Sequence, residues 1–119
     1  DSLTAAETYQ KLESAPQSNS VAEAYYFRAF KLHQVNQFEA SNALIEKIAQ
    51  LGSASGIWNV KALLLLAKNY FELDDSFQAV FVLESVIENF ESYTDQIEEA
   101  QRLLEKYKTD EKTSPNENI

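Results

Sequence analysis

A chain of 119 residues, 45% of them hydrophobic and with only two Gly and two Pro, has room for one continuous core and few turns, which favours an all-α domain over a many-turned β fold. The net charge of -9 weighs against a nucleic acid held through phosphate contacts and against an anionic membrane surface, and the absence of Cys removes disulfides and thiolate chemistry while leaving the redox compartment undecided. No apolar run approaches the roughly 20 residues that span a bilayer; the longest is Ala62 to Ala67, so no direct membrane insertion is expected. The chain does not start with Met and shows no signal peptide, and it reads as a segment of something longer.

Residues 1–14 place Ala5, Tyr9 and Leu12 on one helical stripe, each 36 residues before Ser41, Ile45 and Ile48. That spacing predicts the second helix of a repeat whose first helix is missing. An exposed apolar patch around Tyr9 and Leu12 is then expected, covered by an earlier helix or, in isolation, by a weak homodimer. Gln17 to Ser20 form a polar joint, and Ser20 with Glu23 reads as a capping box. The helix it opens runs to about Val35, with Tyr25, Ala29 and Leu32 as its stripe. Asn36 with Glu39 reads as the cap of its partner, which ends near Leu51 with Gly52 in a left-handed conformation. Trp58 follows the GSASG linker, either to wedge the flanking helices together or to bind.

The stretch VKALLLLAKNYFELDDSFQAVFVLESVIENF, Val60 to Phe90, reads as one more complete helical hairpin. Leu63, Leu66, Ala67 and Tyr70 form one stripe, and Ala79, Leu83 and Val86 the other. Asp75 with Gln78 is the expected reciprocal cap at the turn. The domain organisation is therefore 20–51 and 57–91 as repeats, with 94–108 as a closing helix. That helix is marked by Thr94 as N-cap and by Ile97, Ala100, Leu104 and Tyr107, with Glu98, Glu99, Arg102, Glu105 and Lys106 on its solvent face. Residues 109–119, TDEKTSPNENI, have almost no apolar content and are expected to be disordered.

Two copies of one pattern stand 38 residues apart: Ala29 and Ala67, Leu32 and Tyr70, Ser41 and Ala79, Ile48 and Val86. The order Leu63, Leu66, Ala67, Tyr70, Ala79, Leu83 resembles the tetratricopeptide repeat (TPR) signature, whose usual period is about 34 residues. Tyr25, Ala29, Leu32, Ser41, Ile45 and Ile48 match it a second time, with Arg28 where Leu is the norm. The resemblance implies an all-α, right-handed superhelix of about six antiparallel helices. It also implies a concave wall from the first helix of each pair: Glu23, Tyr26, Phe30, His33 and Gln34, then Lys61, Leu64, Lys68, Phe71 and Glu72. Partner-binding residues are expected at Tyr26, Phe30, His33, Lys61, Leu64, Lys68 and Phe71, unless the aromatics pack on neighbouring helices of a longer solenoid. Phe30 and Leu64 stand where carboxylate-binding TPR domains need polar residues, so an extended peptide or partner helix is the better expectation. The last half of the chain, through QIEEAQRLLEKYK, also resembles the carboxy-terminal end of long multi-TPR envelope proteins of Bacteroidetes, which implies a periplasmic scaffold.

Little in the sequence suggests reaction chemistry. His33 stands alone, with no second His and no Cys beside which a metal would sit. GSASG lacks the Lys and Ser or Thr of a phosphate-cradling loop, and no spacing marks an activated Ser. No enzyme, cofactor or metal site is expected. Two readings remain: a protein-interaction scaffold with an occupied groove, or a structural cap that ends a longer array.

Overall fold

The apolar spacings close two helical hairpins built the same way. The computed structural model of the chain describes residues 19–112, and every regular element among them is helical: α1 (19–34), α2 (Phe38–Leu51), a 3-10 turn (Gly52–Ser55), α3 (Ile57–Glu72), α4 (Ser76–Asn89) and α5 (Thr94–Lys112). The helix expected over 1–14, with Tyr9 and Leu12, lies outside the described residues. So does the part of the expected tail beyond Lys112.

The turns after α1 and α3 are one turn made twice. Asn36 N–H donates to the His33 carbonyl at 3.1 Å and Gln37 N–H to that of Leu32 at 2.8 Å; 38 positions on, Asp74 and Asp75 donate to Phe71 and Tyr70 at the same distances. Asn36 and Asp74 both adopt positive φ, 64° and 62°, which their short polar side chains tolerate. The expected cap at Asn36 is thereby corrected, since Asn36 closes α1 and does not open α2. The N-cap of α2 is Gln37, which makes no side-chain bond. Its counterpart Asp75 does cap α4, accepting from Gln78 N–H at 3.2 Å. The reciprocal half of that cap is not available, because Asp75 N–H is engaged by the Tyr70 carbonyl.

Other boundaries move for similar reasons. Ser20 lies inside α1, which already includes residue 19. Tyr93, whose carbonyl accepts from Ile97 N–H at 3.0 Å, takes the N-cap place expected of Thr94. The last helix continues past Lys108 to Lys112, into the stretch expected to be disordered; no Gly or Pro interrupts it there. The linker is equally ordered. Gly52 opens the 3-10 turn and Gly56 follows it at φ 64° and 58° with ψ near -146° and -131°, a region open in practice to Gly alone and not the left-handed helical one expected of Gly52. The buried Ser55 hydroxyl donates to the Gly52 carbonyl at 2.7 Å and holds the turn.

Two core clusters share α3. Ala22 and Ala29 of α1 meet Leu44, Ile45 and Ile48 of α2 and Ala62 and Leu65 of α3. Val60, Leu64 and Ala67 of α3 meet Ala79, Val82, Leu83 and Val86 of α4 and Ala100 and Tyr107 of α5. A single buried stripe was expected on α3, with Leu63, Leu66 and Tyr70 on it. Instead those three are half-buried, and the helix is buried on two sides because it lies between α2 and α4. The run ALLLLA fits such a helix, apolar nearly all round.

Candidate functional site

The side of the molecule away from α2 and α4 is built by α1, α3 and α5. On α1, Tyr26, Phe27 and Phe30 follow at helical spacing, and Trp58 at the start of α3 leans on them. Ring centroids are 5.5 Å apart for Tyr26 and Trp58, 5.7 Å for Phe27 and Trp58, and 6.3 Å for Tyr26 and Phe30. Lys61 lies over the Trp58 ring with its Nζ 4.8 Å from the centroid, so the cation and the indole fix each other. Phe27 remains 52% exposed and Phe30 36%. The wedge and binding readings of Trp58 meet here, since one face of the cluster packs and the other is open.

The same wall changes character along α3. Leu64 is only 3% exposed and belongs to the core beneath α5, so it offers a partner no surface. Phe71 lies flat on Tyr107 of α5, centroids 3.9 Å apart and planes 8° from parallel. Lys68 Nζ reaches Glu99 of α5 at 3.0 Å, with both side chains about one-third exposed. Of the seven residues expected to bind, Tyr26, Phe30 and Lys61 thus gather at one open cluster. Lys68, Phe71 and Leu64 hold α5 in place. A cleft of about 380 Å³ remains between the ends of α1, α3 and α5, with His33, Phe71, Lys106 and Tyr107 in its wall.

His33 is tied inward. Its Nδ1 lies 2.7 Å from Asn69 Oδ1, while Asn69 Nδ2 donates to Ser41 Oγ at 2.9 Å and Asn42 Oδ1 at 2.8 Å. Because the amide uses its N–H groups on α2, its oxygen must accept, and His33 Nδ1 carries the proton. The Ser41 hydroxyl in turn donates to the Ala29 carbonyl at 2.8 Å. This network joins α1, α2 and α3 through one fully buried Asn. The sequence reading missed Asn69 because its counterpart 38 positions earlier is the exposed Lys31, so the repeat gave no signal.

Two phenols are perturbed on this side. Burial, helped by Glu72, Asp110 and Glu99, pushes Tyr107 up to about 12, and burial with Glu99 also raises Tyr26. Both stay neutral and serve as apolar surface with a polar edge. No group of three His, Cys, Asp or Glu side chains suited to a metal ion occurs among the described residues, and no helix there is long and apolar enough to cross a membrane. Comparison with family profiles, with curated proteins and with solved structures gives no match.

Proposed function

We propose that this chain is a non-catalytic, TPR-like protein-interaction module that takes an extended peptide or a helix of a partner on the wall formed by α1 and α3. The observation that carries this reading is the open aromatic cluster of Tyr26, Phe27 and Phe30 against Trp58. Large aromatics left half in water beside a rigid support are the side chains that dominate binding energy when a partner covers them. The repeat sharpens the point, since Leu64 and Lys68, the counterparts of Tyr26 and Phe30, are covered by α5.

Lys61, held over the Trp58 ring, places a cation at the edge of the open cluster, whereas Lys68 is paired with Glu99 of α5. The super-helical arrangement belongs to this proposal through the TPR resemblance and the matched turns, and a place in a periplasmic scaffold through the resemblance to envelope multi-TPR proteins alone.

The test is paired affinity capture from extracts of the source organism with the wild-type chain and the Phe27→Ala/Phe30→Ala variant as baits. A protein retained by the first and lost from the second, with both baits equally helical and equally stable, supports the groove. Identical captures, or none, refute it and favour a purely structural cap. Phe71→Ala is unsuited to this test because it would also loosen α5.

A further inference from the structure

The outer edge of α4 carries a second apolar surface, independent of the α1 wall. Phe77 is 80% exposed and Phe81 61%, and together with Val80 and Glu84 they line a groove of about 250 Å³ beside Lys108 of α5. The equivalent groove exists 38 residues earlier, where Glu39, Asn42, Ala43 and Glu46 of α2 form the wall at the same register. Packing therefore does not require large apolar residues at these positions. The outer rim of the first groove is polar and short over a floor of Ile45, Leu63, Leu66 and Tyr70, whereas the outer rim of the second is aromatic. Such a change at one place in a repeat marks a surface meant to be covered.

The charges at its rim say by what. Tyr107 stacks on Phe71 at the end of α3, so Lys108 sits by the start of α4, near Phe77. Glu84 lies two turns further along α4, about 10 Å from Phe77. Neither Glu84 nor Lys108 forms an ion pair among the described residues. A surface with a cation at one end, a carboxylate at the other and phenylalanine between them is complementary to itself turned end for end. We propose that this face pairs with the same face of a second copy of this chain. The two α4 helices run antiparallel about a twofold axis near Val80 and Phe81, and each Glu84 meets the Lys108 of the other copy.

Sedimentation velocity over about 1 μM to 1 mM covers the range in which a small interface of this kind associates. The wild-type chain should pass from monomer to dimer. Phe77→Glu/Phe81→Ala, which gives the second groove the side chains of the first, should remain monomeric with unchanged helix content, because both positions are exposed. Glu84→Lys places two like-charge pairs in the dimer and should weaken it about tenfold. Glu84→Lys/Lys108→Glu should restore it. A wild-type monomer at the highest concentration overturns the proposal and leaves the face to a different helix. Dimerisation of Phe77→Glu/Phe81→Ala at wild-type strength, or no recovery in the charge-swapped pair, overturns it as well.

Discussion

Replacing Asn69 with Ala removes a buried α3 side chain bonded to both α1 and α2. Three hydrogen bonds are lost, to His33, Ser41 and Asn42, and at about 1 kcal/mol each the cost approaches 3 kcal/mol. His33 and Asn42 are half-buried and can turn to water, and Ser41 keeps its bond to the Ala29 carbonyl, so about 2 to 3 kcal/mol is the expected range. That is a large part of the roughly 5 to 15 kcal/mol that holds a domain folded. With a slope of about 1 to 2 kcal/mol per molar urea for a chain this size, the unfolding midpoint should fall by roughly 1 to 3 M. Asn69→Asp should cost as much despite its shape, because an oxygen then faces Ser41 Oγ and Asn42 Oδ1 where the amide donated. Pairing Asn69→Ala with His33→Ala should give a total about 1 kcal/mol smaller than the sum of the single effects. A midpoint shift below about 0.3 M for Asn69→Ala would refute the idea that this network joins the repeats.

Other perturbations separate strong contacts from weak ones. Gly52→Ala and Gly56→Ala should each lower stability by about 1 to 3 kcal/mol by urea unfolding. The cause is backbone strain, since a Cβ at either place meets nothing closer than 3.8 Å. Lys68→Ala should cost less than about 1 kcal/mol, because its pair with Glu99 is partly solvated. Alkaline pH tests the Tyr107 environment: the folded phenol is raised from 10.0 to about 12. Its contribution is therefore complete below pH 10 and lost as pH rises towards 12, by roughly 2 kcal/mol. Urea unfolding at stepped pH should show that loss for the wild type and a smaller one for Tyr107→Phe.

Much of the fold was legible because periodicity reports burial. Ala29, Ser41, Ile45, Ile48, Ala79, Leu83 and Val86, all taken from spacing, are buried. The 38-residue repeat was legible for the same reason, and the matched turn bonds follow it. What spacing cannot show is which side of a helix a later element covers. Leu64, Lys68 and Phe71 stood as groove residues through the TPR resemblance, yet α5 lies on them; Tyr107 was legible as core, but its stack on Phe71 was not. Asn69 was hidden because a polar residue inside an apolar helix looks like a solvent position until its partners on α1 and α2 are known. Phe77 and Phe81 were passed over because they lie off the core stripe of α4, the same property that leaves them exposed. Phe27 was missed likewise, one position from Tyr26.

Trp58, the one tryptophan of the chain, stands 5.5 Å from Tyr26 and 5.7 Å from Phe27 and so reports directly on the proposed wall. The most direct measurement is a Trp58 fluorescence titration with a peptide selected from a random library on the wild-type chain. The proposal predicts a saturable change with the wild type, and an affinity at least about tenfold weaker with Phe27→Ala/Phe30→Ala, a loss of roughly 1.4 kcal/mol or more. Equal affinity for both chains, or binding that leaves Trp58 emission unchanged, would contradict it.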